Sequence, residues 1–373
     1  MKKIISKIMV KILNFLLILP LPSIKKLKKT DEFIYLSEKY KKNKLEIAKN
    51  NFKFNKEINL SFVVTTYNSE KYIEKCIYSL LNQETSYKCE IIVVDDGSTD
   101  NTLNILKIFK NIKVFKNKHS GISKTRNFGL SKVTGEYVAF VDSDDFIAPN
   151  YVERVLVNAY KNNSDVLKFG YYIYNFKKKN IISKSKDMIS NTYTKLGKNI
   201  LNYPGYAWGQ ITKTILFNDI SFPENYDYED MINRILVYRK AKTFTYINER
   251  LYYYSQHGNN ISKKLNSSKN LDQFYLFQEL YHLSNKMNLR MDEELYLTLL
   301  YEASTMLFLR TRHLKKSTKK YLFSLSSDFI TKINYKCELN KDEEKIYKIF
   351  KNKNYTKFNI YCIYKILKTR CGE

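Results

Sequence analysis

Cysteine is scarce in this sequence of 373 residues, and its distribution excludes two kinds of stabilised scaffold. The five cysteines (Cys76, Cys89, Cys337, Cys362 and Cys371) form no CxxC pair and no regularly spaced set. Common zinc sites need closely spaced ligands, and disulfide scaffolds need an even, dense set of cysteines. The pattern therefore predicts reduced thiols and a cytoplasmic protein.

Glycine-rich phosphate-binding loops are also missing. The chain has 10 glycines, and they form neither GxGxxG nor GxxxxGK[ST]. This absence excludes the dinucleotide-binding fingerprint and the P-loop. Internal repeats and low-complexity segments are absent as well, while 44% hydrophobic residues are enough for a packed core.

The apolar run near the N-terminus is too short to cross a membrane. Ile12 to Leu21 is about ten residues, whereas a spanning helix needs roughly 20. Lysines flank the run on both sides, and no small-residue cleavage site follows, so a signal peptide is not indicated. We expect residues 1–28 to form an interfacial helix on an anionic membrane leaflet. The alternative is a helix that docks on the body of the protein.

Positive charge dominates the chain, with 64 Lys and Arg against 37 Asp and Glu and a formal net charge of +27. Such an excess predicts an anionic partner: nucleic acid, an acidic membrane surface or a phosphate-rich substrate. The arginine-and-aromatic stripes expected for base readout are not evident, so we expect no nucleic-acid partner. The alternative is that much of the charge is simply solvated lysine.

Short apolar segments alternate with helical patterns between Leu60 and Val141. Strands are predicted at 60–64, 90–94, 112–115 and 137–141, and helices at 69–81, 99–109 and 122–131. This alternation is typical of an α/β fold with a mostly parallel sheet and right-handed crossovers.

The rest of the chain is predicted to be mixed and then helical. A helix is expected at 231–240 and a strand at 243–247, and the pattern is helical from about Leu271 to the end. Residues 31–57 have a polar helical pattern and are predicted to be a connector. We therefore predict three regions: an N-terminal basic helical segment (1–58), an α/β domain (59–265) and a C-terminal helical region (266–373).

Three carboxylates, Asp142, Asp144 and Asp145, follow the fourth predicted strand. Ligands of open α/β sheets bind at the carboxyl ends of the strands. Acidic side chains packed there repel one another unless a cation lies among them, and hard divalent ions bind carboxylate oxygens. The segment therefore predicts a divalent-metal site, with substrate phosphate beyond the metal.

Polar turns follow the first two strands as well. Thr65-Thr-Tyr-Asn68 follows the first, and Asp95-Asp-Gly-Ser-Thr-Asp100 follows the second. A carboxylate in the second turn, away from the metal, suits acceptance of N–H bonds from a nucleobase. The alternative is that Asp95 and Asp96 cap the following helix.

Several segments, in this order along the chain, closely resemble family 2 glycosyltransferases of the GT-A fold. They are FVVTTYNSE (62–70), IVVDDGSTD (92–100), GISKTRN (121–127), GEYVAFVDSDD (135–145), FPE (222–224), YED (228–230) and YYYSQHGNNIS (252–262). The resemblance covers roughly residues 59–265. It implies a GT-A Rossmann-like, mostly parallel sheet flanked by helices.

The resemblance also implies a role for individual residues. Asp144 of the DxD pair matches the ligand of Mn²⁺ or Mg²⁺, and Asp230 matches the catalytic base. The positions that match nucleotide-sugar contacts are Thr65, Tyr67, Asp96, Arg126, Asp142, Ser143 and His257. Glu229, Trp208 and Asp145 are predicted acceptor contacts, with a core position as the alternative for Trp208 and a scaffolding role for Asp145.

Three positions depart from the family pattern. Thr65 replaces the common proline, and the phosphate loop usually has arginine where Ser255 and His257 stand. We therefore expect diphosphate binding to depend on the metal, on His257 or on nearby lysines.

Glycosyl transfer needs an acceptor hydroxyl deprotonated on one side of the anomeric carbon and a diphosphate neutralised on the other. A single in-line displacement of this kind inverts the anomeric centre. We therefore expect an inverting, metal-dependent transferase that moves sugar from a UDP-sugar to a bacterial surface glycan or lipid-linked acceptor. We expect it to be peripheral at the inner face of the cell membrane.

Two alternatives are weighed against this reading. An aspartate-based phosphohydrolase would use Asp142-Ser-Asp144, but such enzymes usually need Thr or Val where Phe146 stands. A non-catalytic basic module for anionic polymer would not need the complete set of acidic residues that the chain retains.

Overall fold

A computed structural model describes residues 2–21, 44–258, 269–333 and 335–371. The chain divides into two compact units. The first, which we call the α/β unit, comprises Glu46–Gly197 and Tyr203–Lys264. The second, the helical unit, comprises Met1–Leu45, Lys198–Asn202 and Leu265–Glu373, so the N-terminal segment and the C-terminal helices, predicted as separate regions, belong to one unit.

The described strands of the α/β unit form one mixed sheet. They are β1 (Leu60–Thr66), β2 (Cys89–Asp95), β3 (Lys113–Lys116), β4 (Tyr137–Asp142), β5 (Phe146–Ile147), β6 (Val166–Asn175), β7 (Asn180–Lys184), β8 (Asn191–Tyr193), β9 (Gln210–Lys213) and β10 (Phe244–Gln256). Their order is β3-β2-β1-β4-β9-β6-β10-β5, with β7 beside β6 and β8 beside β10. The pairs β1–β2, β1–β4, β2–β3 and β6–β10 are parallel, which confirms the predicted α/β class.

Helices flank this sheet and make up the other unit. In the described residues they are α1 (Lys2–Leu16), α2 (Ile73–Leu81), α3 (Thr102–Leu106), α4 (Ile122–Leu130), α5 (Tyr151–Lys161), α6 (Tyr238–Lys240), α7 (Asp272–Lys286), α8 (Glu293–Tyr301), α9 (Leu307–Thr311), α10 (Lys316–Lys332), α11 (Lys341–Lys351) and α12 (Tyr355–Cys371). The predicted helix at 231–240 is confirmed, and it contains a π-helical turn at Asn233–Val237 just before α6. Such turns often occur at functional sites.

The core of the α/β unit lies around β1, which is buried along its whole length. Phe62 and Val64 share a hydrophobic cluster with Ile73 and Ile77 of α2. Burial of each large aliphatic or aromatic side chain contributes about 1.5–3 kcal/mol. The run of apolar residues in β1 therefore reflects a strand that is covered on both faces.

The predicted helical connector is wrong for residues 44–57, which contain no helix. The backbone N–H groups of Ala48 and Asn50 donate to the carbonyls of Asp219 and Asn218, at 3.1 and 2.8 Å. The Asn50 side chain also donates to the Phe217 carbonyl at 2.6 Å. Because these groups bond to residues 217–219, they do not form a helix of their own. The remainder of the predicted connector, residues 31–43, lies outside the described residues.

Strand β10 is much longer than the predicted strand at 243–247. It pairs with β6 along its length, with register shifts near Arg250, and with β5 through Tyr252 and Tyr253. Aromatic residues favour strands because they fit a pleated, half-buried surface. The consequence for the site is that His257 directly follows the end of a strand that is paired on both sides.

In the helical unit, α1 packs against α12. Val10, Leu13 and Leu17 form the buried face of this segment, while Ile12 and Phe15 on the other side are 47% and 61% exposed. One face of α1 is therefore docked on the protein, as the alternative given above expects. No described helix combines the length and apolar composition that crossing a bilayer requires.

Candidate active site

The carboxyl ends of β1, β2 and β4 meet at one edge of the sheet. β1 lies between the other two strands, with Thr65 opposite Asp142 of β4 and Thr66 opposite Asp95 of β2. This parallel register brings the two acidic turns, 95–100 and 142–145, to the same edge. Thr65 lies in the central strand and is buried.

Arg126 of α4 joins the first DxD aspartate to a residue far along the chain. Helix α4 lies directly on β1, since a Cβ at Gly129 would be 2.5 Å from Val63 Cγ1. One turn earlier, the buried Arg126 guanidinium donates to Asp142 Oδ1 at 2.9 Å and to Glu229 Oε1. Burial acts to lower the pKa of Arg126, but the Asp142 and Glu229 carboxylates outweigh it and raise the pKa. One cation therefore balances two carboxylates.

Asp230 follows Glu229 and begins the helix at 231–240. Its backbone carbonyl accepts from the Asn233 N–H at 3.0 Å, and its side chain is half-buried. The preceding Tyr228 has φ of 69°, a left-handed conformation that is an outlier for a bulky residue. Strained backbone of this kind costs of order 1–3 kcal/mol and persists where the surroundings fix it. The Arg126–Glu229 contact thus brings the turn that carries Asp230 to the DxD segment.

Asp144 lies next to His257. Asp144 Oδ2 and His257 Nε2 are 2.7 Å apart, and the imidazole stacks on the Tyr72 ring with centroids 4.4 Å apart. Burial and then the charge of Asp142 raise the pKa of Asp144, opposed by the hydrogen bond and charge of His257. The stacking holds the imidazole beside the carboxylate.

Asp145 lies inside the fold, 1% exposed. Its oxygens accept from the Tyr252 hydroxyl at 2.8 Å and from the Ser255 N–H at 2.6 Å. The same Tyr252 hydroxyl accepts from the Asp142 N–H at 3.2 Å. Burial, and next the charges of Asp144 and Asp142, raise the pKa of Asp145 well above its ordinary value. Of the two predicted roles of Asp145, scaffolding accounts for these contacts.

The Asp96 carboxylate holds the loop at 119–121. Oδ1 accepts from the backbone N–H and hydroxyl of Ser120, at 2.8 and 3.1 Å. Oδ2 accepts from the Gly121 N–H at 3.0 Å and lies 3.0 Å from His119 Nδ1. Gly97 allows this close approach, because its φ is +79° and a Cβ there would be 3.0 Å from His119 N.

Two further predicted nucleotide contacts lie at this edge. Tyr67 is 45% exposed and stacks on His119, with ring centroids 4.3 Å apart. Ser143, between the DxD aspartates, has its hydroxyl 2.7 Å from that of Ser69, which ties the β4 turn to the segment before α2. An exposed tyrosine face beside a buried carboxylate is suited to a planar, polar base.

Sequence comparison agrees with this geometry. Residues 61–213 match the model of the family described as Glycosyl transferase family 2. The chain carries a family 2 glycosyltransferase domain. This assignment confirms the resemblance drawn from the sequence motifs and favours a transferase over the phosphohydrolase alternative.

Relatives of the transferase domain come from bacteria. Glycosyltransferase GlyA of Streptococcus pneumoniae is 31% identical over 218 residues, which cover 52% of this chain and 30% of GlyA. TarS of Staphylococcus aureus, a poly(ribitol-phosphate) beta-N-acetylglucosaminyltransferase, is 32% identical over 205 residues, 52% of this chain and 35% of TarS. The chain therefore spans about a third of the length of these two relatives.

A solved structure shows the same fold. The crystal structure of S. aureus TarS 1–349 in complex with UDP-GlcNAc aligns with a TM-score of 0.62 and 24% identity. The alignment covers 85% of this chain and 93% of that one. The predicted GT-A fold is therefore confirmed.

The transferase domain offers a pair of side chains to a divalent cation. Asp144 supplies a carboxylate oxygen and His257 an imidazole nitrogen, both partly accessible to solvent. Within the described ranges, no group of three or more His, Cys, Asp or Glu side chains is arranged to hold a metal ion. A pair of protein ligands fits Mn²⁺ or Mg²⁺ that completes its shell with substrate phosphates and water.

Trp208, a predicted acceptor contact, lies in an aromatic stack. Its indole is nearly parallel to the rings of Tyr206, Tyr252 and Tyr254, with centroids 4.7, 4.9 and 5.3 Å away. Tyr171 meets it edge-on at 5.0 Å. Three parallel rings cannot all lie on one indole face, so both faces are in contact with tyrosine. The core position, given above as the alternative, therefore accounts for these contacts, and the acceptor role of Trp208 stays a prediction.

Sequence reasoning missed several residues that support the site. Tyr72 orients His257, Tyr252 links Asp142 to Asp145, and His119 covers Tyr67. A single tyrosine or histidine in the sequence does not indicate a supporting role of this kind. The fold brings them to the edge from three separate places: Tyr72 directly precedes α2, Tyr252 lies in β10, and His119 lies in the loop after β3.

Proposed function

We propose that this chain is an inverting, metal-dependent transferase that moves a sugar from a UDP-sugar to a hydroxyl of a bacterial surface glycan or lipid-linked acceptor. The observation that carries the proposal is the Arg126 bridge between Asp142 and Glu229. It brings the turn that carries the predicted base, Asp230, to the strand edge where a donor would bind. TarS, whose fold is alike and which binds UDP-GlcNAc, supports a UDP-sugar donor.

The acceptor side of the reaction rests on Asp230. Its carboxylate accepts the proton of the acceptor hydroxyl as that oxygen bonds to the anomeric carbon. The bond from that carbon to the diphosphate breaks on the opposite face, and UDP leaves with the electron pair. The Asp230 charge interacts with the Arg126 guanidinium, which favours an ionised base.

The donor side rests on residues of β1, β2 and the DxD turn. Asp96 and Tyr67 would meet the base, with Thr65 beneath them in β1. Asp142 and Ser143 would lie at the ribose, and Arg126 and His257 near the diphosphate. Asp144 and His257 would hold Mn²⁺ or Mg²⁺, which when bound neutralises charge on the diphosphate.

A nucleotide-sugar screen tests this function. We expect one UDP-sugar, with Mn²⁺ or Mg²⁺, to raise the thermal midpoint and to be hydrolysed slowly without acceptor. Ligand at 100 times its Kd stabilises a protein by about 2.7 kcal/mol, which such a scan detects. Chelation of the metal should remove both effects. If an anionic polymer protects the chain and no nucleotide-sugar does, the chain is a non-catalytic binding module instead.

We also propose that α1 places the protein on an anionic membrane surface. Its solvent-facing side presents Ile8, Ile12 and Phe15, each 47–61% exposed. Lys7 and Lys11 are exposed on the same helix. Each lysine near an anionic leaflet contributes about 1 kcal/mol, and the apolar side chains would enter the headgroup boundary.

Flotation with vesicles tests the membrane proposal. We expect Ile12→Glu with Phe15→Glu to reduce binding to phosphatidylglycerol vesicles about tenfold or more, because both charges enter the apolar face. The buried face against α12 is left intact, so the fold is kept. Ile189→Glu is the matched control, since Ile189 is 88% exposed in the α/β unit. Equal binding of the double variant and the control would show that α1 does not contact lipid.

A further inference from the structure

The helix that follows Asp230 is fastened to one short segment by three side chains. Arg234 donates to the carbonyl of Tyr203 at 3.1 Å, and Asn233 donates to that of Gly205 at 2.8 Å. The Tyr238 hydroxyl lies 2.9 Å from the carbonyl of Pro204. Three successive carbonyls, which we call the 203–205 clamp, are thus bonded to one helix.

The backbone of the clamp packs closely against the backbone of Asp230. A Cβ at Gly205 would be 3.0 Å from the Asp230 carbonyl oxygen and 3.6 Å from Arg234 N. The clamp therefore touches the first turn of the helix directly. Any shift of residues 203–205 moves the residue that we propose as the base.

A buried lysine lies beneath this helix. Lys168 of β6 is 4% exposed, and its ammonium donates to Gln210 Oε1 at 3.0 Å across the β6–β9 pair. Gln210 Oε1 is also 2.6 Å from the Tyr238 hydroxyl, whose single proton can go to Gln210 or to the clamp. Gln210 Nε2 lies 3.4 Å from Asn233 Oδ1. Lys168 is thereby linked to the same helix as Asp230.

The buried Lys168 lowers the stability of the folded state. Burial, and next the charge of Arg234, lower the pKa of Lys168 from 10.5 to about 7, although the Asp230 carboxylate acts to raise it. The unfolded chain therefore binds this proton more tightly than the folded one. The loss of stability is full below about pH 7 and disappears as the pH rises toward the ordinary lysine range. A methionine of similar size would avoid it.

We propose that Lys168 is a positioning residue for Asp230, retained because its buried ammonium orients the Asp230 helix through Gln210 and Tyr238 and favours the ionised carboxylate. This inference rests on the proposed transferase function, in which Asp230 is the base. Lys168 acts through Asp230 and does not touch substrate.

The charges that act on Asp230 come from several elements. Arg126 of α4 and Lys168 of β6 interact electrostatically with its carboxylate. From its own helix, Asp230 acts on the Tyr238 hydroxyl, and Arg234 lies close enough to Lys168 to lower the pKa of that lysine. Glu229 is paired with Arg126. Removal of Lys168 leaves Arg126 in place, so Asp230 remains a functional but weaker base at low pH.

Lys168→Met tests the inference. We expect kcat to fall about tenfold at pH 7 while the Kd for the UDP-sugar stays within about twofold. The acidic limb of the kcat/KM profile should move up by about one pH unit, because an opposite charge has been lost. The thermal midpoint at pH 7 should be unchanged or higher. A lysine with only a structural role would lower the midpoint and leave the profile in place.

Lys213→Met is the matched control. Lys213 lies three residues from Gln210 in β9, but its ammonium pairs with Asp165 at 3.0 Å. The control should keep the wild-type pH profile. A second variant, Gly205→Ala, should lower kcat without weakening donor binding, because its Cβ crowds the Asp230 carbonyl.

The outcomes separate the two proposals. If the wild-type chain transfers no sugar from any UDP-sugar, the proposed function fails. If the wild type is active and Lys168→Met keeps its acidic limb, the positioning role of Lys168 is overturned and the transferase function stands.

Discussion

Asp230→Asn is expected to abolish most turnover, with kcat falling about 10²–10⁴-fold. The amide has nearly the same shape as the carboxylate but cannot accept the proton of an acceptor hydroxyl. Donor affinity should change little, because the predicted donor contacts lie on β1, β2 and the DxD turn. The measurement is transfer rate under saturating UDP-sugar, together with Kd by calorimetry.

Asp227→Asn provides the control for this change. It is the same substitution three residues earlier in the same turn, so it tests the local loss of a negative charge. We expect it to retain a rate within about threefold of wild type. A wild-type rate in Asp230→Asn would eliminate Asp230 as the base.

Asp144→Ala should remove metal-dependent donor binding. Changes that only reorient a metal ligand typically weaken metal affinity 10–100-fold, so loss of a ligand should weaken UDP-sugar binding in Mn²⁺ by at least about 100-fold. Titration calorimetry with and without chelator measures the effect. Donor binding that still responds to Mn²⁺ in the variant would show that the metal is held elsewhere.

The thermal midpoint of Asp144→Ala distinguishes the loss of metal-dependent donor binding from unfolding of the variant. Because burial and Asp142 raise the pKa of Asp144, its ionised form is disfavoured in the fold. With chelator present, Asp144→Ala should therefore have an unchanged or higher thermal midpoint at neutral pH, where the carboxyl of the unfolded chain is ionised. Asp187→Ala is the control: its side chain is 58% exposed and pairs with Arg250, away from the DxD turn.

The sequence predicted the first half of the sheet well. β1, β2, β3 and β4 agree with the predicted strands within about two residues. The reason for β1, β2 and β4 is that each is an apolar run followed by a polar turn. The helix at 99–109 is shorter in the structure, Thr102–Leu106. Periodicity alone does not show that Asp100 bonds to the N–H and hydroxyl of Thr102 and holds the turn before the helix.

The second half of the sheet and the pairs within the site lay beyond sequence reasoning. The π-helical turn within 231–240 and the length of β10 depend on packing partners that are distant in sequence. Arg126 and Glu229 are 103 residues apart, and Asp144 and His257 are 113 apart. Local sequence patterns place residues at the ends of strands, but they do not show which of these side chains pair with one another. Lys168 gives no signal in sequence, since a lone lysine in a strand predicts a solvent-facing position.

The hydrogen bonds that Asp96 accepts from the loop at 119–121 limit how its carboxylate could bind a nucleobase. A carboxylate offers about four lone-pair positions, and Ser120, Gly121 and His119 already fill four. If Asp96 binds a nucleobase as predicted, the base N–H would have to replace one of these donors instead of adding a fifth. The His119 side chain is 61% exposed, and its ring also covers Tyr67. Movement of that one imidazole would release both a hydrogen-bond acceptor on Asp96 and a stacking face on Tyr67, so a base bound here would take the place of the imidazole ring.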